Sequence, residues 1–393
     1  MSRFRAYPTP AQEAALLVHC AHARLVWNLA VEQQSYFVKG GVARPPGNAE
    51  RMRQLTAARE ANSWLDEGSS IVQQQALRDF DHAMSGFFNG THGKPTWRKQ
   101  NRHESFRIVQ FKAEHSRRLN RRNAEVFVPK VGWVRFRMSR PVPDGVKSFR
   151  MSRDRAGRWH VAFAAIPQPL PGPGTGEIVG VDRGVVHVAA LSDGTLFDYH
   201  RPDLDTTVKR LQRRLARAKR GSNRRTQLKA RLAKAQARRA DARKDMLETA
   251  TTRIARNYDI IRLEKLNVRS MTRSAKGTIE QPGTNVKQKA GLNRSILDKG
   301  WGTFAQRLEH KAMGRVEYVP AAYTSQRCSE CGHIAQENRE SQAVFSCVAC
   351  NHSDNADVNA ARNIAAGPAV TARGDLGKTR SVNREPQQLA PTG

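Results

Sequence analysis

Two Cys-x₂-Cys pairs, Cys328/Cys331 and Cys347/Cys350, stand fifteen residues apart in this chain. A two-residue gap lets both thiolates of a knuckle face one ion, and two knuckles complete a four-sulfur site. Soft sulfur in tetrahedral array suits zinc, and a closed four-ligand site is structural. Two disulfides or an iron–sulfur cluster are the other readings of four thiols. His333 follows the first knuckle, but four thiolates already suffice. The fifth cysteine, Cys20, sits in an apolar helical pattern and reads as a buried small hydrophobe.

Three carboxylates share a second pattern. Asp182 ends the short apolar run Ile178–Val181 and precedes Arg-Gly; Glu264 lies near the end of YDIIRLEKLNV (258–268). Asp357 opens DVNAARNIA, a helix whose Ala360-Ala361 permits close packing on a sheet. An acid inside an apolar meander is costly unless it binds something. Hard cations take oxygen ligands, and two Mg²⁺ ions held by acids from separated segments can activate water and stabilise the leaving oxygen of a phosphodiester. Taken one at a time, such an acid is more often a surface or capping carboxylate than a metal ligand; the strand contexts and the polyanion charge together favour the metal. Asp354, three residues before Asp357, is a rival for the third place.

The elements that would position these groups follow from periodicity. SRFRAYP (2–8) reads as a strand. Thr9-Pro10-Ala11-Gln12 reads as a helix start, with Thr as N-cap, Pro at the first helical position and Gln three after the cap. Helical spacing runs through 11–90, broken by the loop GGVARPPGN (40–48). Short alternating runs over 104–168 predict a small barrel or sheet, laced with Arg118, Arg121, Arg122 and Lys130. PQPLPGPGTG (167–176) is a linker. After it come strands at 178–181 and 185–191, a hairpin turn at Asp193-Gly194, and a third strand. Residues 209–244 carry sixteen Lys/Arg and one acid, with Leu211/Leu215 and Leu228/Leu232 at i,i+4 spacing around Gly221-Ser222-Asn223. This predicts a basic helical hairpin that faces a polyanion through Arg213, Arg217, Arg224 and Arg225. The polar stretch 272–293 is expected to be mobile. A helix is expected at about 296–313, a strand at 316–319, and a disordered tail from 367.

Composition limits the partners. The 393 residues carry 67 Lys+Arg against 35 Asp+Glu, a formal charge of +32, and nucleic acid is the default partner of such an excess. No uninterrupted apolar run reaches the roughly 18 residues of a membrane helix, and no basic amphipathic helix with exposed aromatics competes for a membrane surface. Zinc-type cysteines and the lack of a signal-peptide pattern point to a reducing, cytoplasmic setting.

GVDRG, LEKLNV and DVNAARNI, separated by a basic hairpin and a zinc ribbon, resemble the three segments of a RuvC nuclease, an RNase H-like fold. RFRAYPTPAQEAAL…ARLVWNLA, QQALRDFDHAMSGFF, GKPTWRK and YTSQRCSECGH are similar to the TnpB family, transposon-encoded RNA-guided nucleases ancestral to type V CRISPR effectors. The resemblance covers nearly the whole chain. It implies an α+β multidomain protein: a β-barrel wedge domain (1–10 and 101–170) carrying an inserted helical recognition domain (11–100), a RuvC nuclease domain (175–324 and 353–366) and a zinc ribbon (325–352). It implies Asp182, Glu264 and Asp357 as catalytic acids holding two Mg²⁺, with Asp357 preferred to Asp354 because the family's acid stands just before x-Asn-Ala-Ala. Cys328, Cys331, Cys347 and Cys350 then hold one Zn²⁺, and Gln74 meets a short duplex motif beside the target. Guide RNA and double-stranded DNA are the implied partners. A cleavage-silent guided repressor and a compact type V CRISPR effector are the alternative readings.

Overall fold

The structure is a computed structural model that describes residues 2–36, 44–102, 104–199 and 201–367. The expected tail beyond Gly367 and positions 40–43 of the expected loop lie outside the described residues. The chain divides into two units, Met1–Ile166 with Val208–Ala237, and Pro167–Thr207 with Arg238 onward.

The first unit opens with strand β1 (Ser2–Ala6) and helix α1 (Pro10–Ser35). The predicted capping box is present: Gln12 N donates to Thr9 Oγ1 and Thr9 N donates to Gln12 Oε1 at 3.0 Å. By length and composition α1 could cross a bilayer. Here it buries Leu16, Cys20, Val26 and Trp27, and burial pushes the Cys20 thiol far up. Helices α2 (Asn48–Ala61), α3 (Ser63–Asp66) and α4 (Ser70–Phe88) follow. Then come β2 (Ser105–Val109), β3 (Ser116–Arg118), β4 (Asn123–Val128), β5 (Gly132–Arg137), β6 (Ser148–Arg153) and β7 (Trp159–Ala164). They form an antiparallel sheet in the order β2-β6-β7-β1-β5-β4-β3. Its end strands β2 and β3 do not pair with each other, so by hydrogen bonding the expected barrel is an open sheet.

The expected boundary between helical and sheet domains near residue 100 does not divide the interior. Leu16, Val26, Leu55 and Phe80 of the helices share one core with Phe4, Phe136 and Phe163 of the sheet. Burying each such side chain contributes about 1.5–3 kcal/mol, which neither layer could obtain alone.

In the second unit, β8 (Ile178–Asp182), β9 (Ala189–Leu191), β10 (Leu196–Phe197), β11 (Ile260–Glu264) and β12 (Val316–Val319) form a sheet in the order β10-β9-β8-β11-β12. The β8–β11 and β11–β12 pairs are parallel; the other two are antiparallel. Strand β9 is shorter than the expected 185–191, because residues 183–187 are held as a loop. Trp301 Nε1 donates to Gly184 O at 3.1 Å, and Lys299 Nζ donates to Val186 O.

The basic hairpin is helix α5 (Pro202–Arg217) and the 35-residue α6 (Asn223–Asn257). Its predicted leucines meet: Leu211 and Leu228 are buried together, with Leu215 and Leu232 against them. Past β11 lie α7 (Val268–Met271), α8 (Val286–Lys299) and α9 (Trp301–Lys311). Part of the stretch expected to be mobile is therefore helix. Lys289 Nζ donates to Met271 O at 2.8 Å and Asn293 Nδ2 to Thr272 O at 2.9 Å, which pin α8 in place. Gly300, in the left-handed region at φ +73°, splits the expected single helix in two. The chain then forms the cysteine knuckles, the hairpin β13 (Val344–Ser346) and β14 (Ser353–Asn355), and helix α10 (Ala356–Ala366).

Candidate active site and zinc ribbon

Asp182 and Glu264 are the last residues of the neighbouring parallel strands β8 and β11. Val181 pairs with Leu263, so the two acids stand side by side one position farther on. Alternation along a strand puts Gly180 on the same face as Asp182. That face is covered by α10: a Cβ at Gly180 would lie 1.9 Å from Ala361 O and 2.4 Å from Ala365 N. Only glycine allows this approach, and the predicted Ala360-Ala361 packing is its other half. Asp357 lies one turn ahead of Ala361, so the docked helix delivers it to the acid end of β8. The Cβ position of Gly184 is 3.3 Å from Asp357 Oδ2.

The three acids are electrostatically joined. The Asp182 carboxyl is pushed well above the usual range, first by desolvation, then by Glu264 and Asp357. By accessible surface Asp182 is only half-buried, but protein atoms enclose its carboxyl on the longer scale that governs desolvation. The Asp357 carboxyl is also raised by burial, opposed by Arg339 and His187. Glu264 is buried, accepts a hydrogen bond from Thr324 Oγ1, and its main-chain carbonyl accepts one from Arg183. A buried carboxyl raised by two neighbouring acids forms a site that a divalent cation would relieve. The donors fit a hard ion; among the described residues, though, only the cysteines gather ligand atoms within 4.8 Å of one another. The acids therefore form a wider site than the knuckles do.

Two further observations bear on the site. Asp354 is turned to Arg362 at 2.8 Å, so the rival acid already has a cation partner. Arg339, which sequence reasoning missed, places Nη2 at 3.7 Å from Asp357 Oδ1, and its charge also opposes the rise at Asp182. It comes from the segment between the knuckles, where nothing in the spacing marks it.

The knuckles repeat one geometry. Cys328 N donates to His333 O and Gly332 N to Cys328 O; Cys347 N donates to His352 O and Asn351 N to Cys347 O, all at 2.8–3.0 Å. Gly332 and Asn351 both take positive φ. The Cys328–Cys350 and Cys331–Cys347 sulfurs are 3.7 and 3.6 Å apart and not bonded. Sulfurs on a tetrahedral zinc with bonds of about 2.3 Å would be about 3.8 Å apart, so the four thiols fit that ion. Asn338 joins the knuckles, donating to His333 O and accepting from Val348 N. The ribbon is tied to α10 by Asn359, which accepts from Ser329 N and donates to Arg327 O, and by Asn363, which donates to Thr324 O and Arg327 O. The knuckles, α10 and Glu264 thus form one connected frame.

Among the remaining candidates, Gln74 is exposed on α4 between the buried Gln73 and Gln75. Arg213, Arg217 and Arg224 are exposed on the hairpin. Arg225 is half-buried instead, and its Nη1 donates to Leu215 O at 2.6 Å and Ala218 O at 3.0 Å. It satisfies carbonyls at the end of α5.

Three family profiles match the chain: "Helix-turn-helix domain" over residues 2–39, "Probable transposase" over 161–275 and "Cas12f1-like, TNB domain" over 301–364. A protein of Escherichia coli K12, provisionally named RNA-guided DNA endonuclease InsQ, is 36% identical over 98% of this chain and 97% of its own length. The chain belongs to the TnpB family. A second relative, from Streptomyces pristinaespiralis and provisionally named RNA-guided DNA endonuclease, is 30% identical over 98% of this chain and 96% of its own. The fold is similar to that of a chain in a cryo-EM structure of a Cas12f1–sgRNA–target DNA complex, with a TM-score of 0.52 and 16% identity over 90% of this chain and 82% of that one. In this TnpB-family chain the segment matched as helix-turn-helix is, within its described residues, a strand and one 26-residue helix.

Proposed function

We infer that this chain is an RNA-guided DNA endonuclease of the TnpB type. The observation that carries the reading is the placement of Asp182, Glu264 and Asp357 together at one end of a mixed sheet. It supports an RNase H-like, RuvC-type nuclease domain in the second unit; we assign the wedge sheet and the helical recognition region to the first unit, and the protein to the prokaryotic cytosol. Asp182, Glu264 and Asp357 would hold two Mg²⁺, which when bound supply an activated water and stabilise the leaving oxygen of a phosphodiester. Cys328, Cys331, Cys347 and Cys350 would hold one structural Zn²⁺. The protein's own groups define the rest. Arg183 and Thr324 fix Glu264, Asn355 caps α10 through Asp357 N and Val358 N, and Gly180 sets the depth of the helix. Arg339 offers a guanidinium where phosphate charge would be presented. Base pairing with a guide RNA would supply sequence specificity, while Gln74 reads the adjoining duplex and Arg213, Arg217 and Arg224 contact backbone phosphates.

The test is to purify the chain with its locus, sequence the RNA that accompanies it, and incubate the complex with matched double-stranded DNA and Mg²⁺. Guide-dependent cleavage of both strands is expected. Guide-dependent binding without cleavage by the unmutated chain would instead establish a repressor.

A further inference from the structure

Away from the acids, an open cleft of about 420 Å³ lies at the β3 edge of the seven-stranded sheet. Ala124, Met138 and Val142 give it an apolar floor, the first buried and the others half-buried. Arg118, Arg121 and Arg140 surround it, all exposed. The acid nearest in sequence, Glu125, is taken by Arg117 at 2.7 Å. Among the described residues no carboxylate pairs with Arg118, Arg121 or Arg140. Arg118 gives only Nε, to Asn120 O at 3.2 Å; Arg140 lies over the Phe4 ring at 4.8 Å and donates Nη2 to Arg3 O at 3.5 Å; Arg121 has no hydrogen-bond partner among the described residues. Charges along an edge strand also discourage sheet-to-sheet pairing. That accounts for Arg118 on β3. It does not account for Arg121 from the β3–β4 turn and Arg140 from beyond β5 converging on one apolar floor.

We propose that this cleft is a subsite for single-stranded polynucleotide, with an unstacked base on the Met138–Val142 floor and the flanking phosphates on Arg118, Arg121 and Arg140. Guanidinium forks match phosphate oxygens, and a base needs an apolar face more than a hydrogen-bond code when it is read without sequence. The proposal deepens the nuclease reading and rests on its claim that the chain carries polynucleotide. RNA and DNA present the same chemistry, and the test separates them.

Full-length chain is titrated with labelled single-stranded RNA and with DNA of the same sequence, by fluorescence anisotropy over a range of salt. Each single-strand phosphate contact contributes about 0.7 to the slope of log affinity on log salt. Arg118→Ala with Arg121→Ala should lower the slope by about 1.4 and weaken binding roughly tenfold at low salt. Arg121→Ala alone, at a residue with no hydrogen bond or ion pair to lose among the described residues, should lower the slope by about 0.7. Circular dichroism confirms that both variants are folded. A loss confined to RNA assigns the cleft to the guide, and a loss confined to DNA assigns it to a target strand. Unmutated chain that binds while both variants bind equally well overturns this proposal alone. Unmutated chain that binds neither polymer overturns it together with the nuclease reading.

Discussion

The two candidate metal sites of the second unit are built on opposite plans. The four thiols lie within 4.8 Å of one another, gathered by two five-residue turns that each close on themselves. The three carboxylates come from β8, β11 and α10, and meet only because a parallel pairing sets two strand ends side by side and a helix docks at a glycine. A soft, closed site can thus be local, while a hard, open one depends on the integrity of a sheet. The two should fail differently.

The largest expected effect is on the ribbon. Binding of structural zinc is worth on the order of 10–16 kcal/mol in small zinc domains. Cys347→Ser should therefore lose the metal, about one zinc per chain by elemental analysis, and unfold the ribbon. Because Asn359 and Asn363 tie the ribbon to α10, cleavage should fall too. Active protein without zinc would end this account. In the opposite arm, Asp182→Ala, Glu264→Ala and Asp357→Ala should each abolish cleavage while zinc content and guide binding stay unchanged. Asp354→Ala should retain most activity, since that acid faces Arg362. If Asp354→Ala is dead and Asp357→Ala cuts normally, the third acid has been misassigned.

Next in size is the docking of α10. Gly180→Ala forces a methyl into the Ala361 carbonyl, and such overpacking costs about 1–3 kcal/mol. Thermal unfolding should show the loss, and cleavage should fall with it, because Asp357 moves with the helix. A variant of unchanged stability would mean that α10 is held elsewhere.

A smaller effect separates the sites by pH. Without Mg²⁺ the native chain keeps protons on Asp182 and Asp357 above the ordinary carboxylate range, whereas the unfolded chain releases them near pH 4. The native state then binds more protons, so stability is greatest at the acid end of this window and falls as pH rises toward the raised native values. Asp182→Asn should remove part of that fall and make the Mg²⁺-free protein more stable at neutral pH. Unfolding of the two proteins from pH 4 to 8 checks it, and parallel profiles would contradict it.

The smallest contrast lies within the hairpin. Reversing Arg213, Arg217 and Arg224 to Glu should shrink the salt dependence of RNA binding without loss of helix. Arg225→Ala should instead loosen the α5–α6 turn, by about 0.5–1.5 kcal/mol for each hydrogen bond lost, with little change in salt slope. An equal effect on salt slope from Arg225→Ala would return it to the polyanion-facing set.

What the sequence determined is what short-range chemistry settles. Cysteine spacing defines the knuckles, and Thr9 with Gln12 defines the start of α1. The leucine spacing of 211, 215, 228 and 232 defines the hairpin, because each feature closes within a few turns of the chain. The strand end carrying Asp182 was legible for the same reason, as a short apolar run that stops at an acid; the run carrying Glu264 was expected to continue to Val268, whereas β11 stops at Glu264. Tertiary structure decided the rest. It turned Asp354, on β14, to Arg362 and left Asp357, in the first turn of α10, at the acid site, a choice the resemblance had indicated and docking accounts for physically. It brought Arg339 to the acids and withdrew Arg225 into the turn, although arginine looks alike everywhere in a chain with 67 basic residues. It joined the helical block and the first sheet into one core, because neither layer has enough apolar surface to hide its own face. The direction of a charged side chain is set by the partners that folding brings within reach, and those partners are remote in sequence.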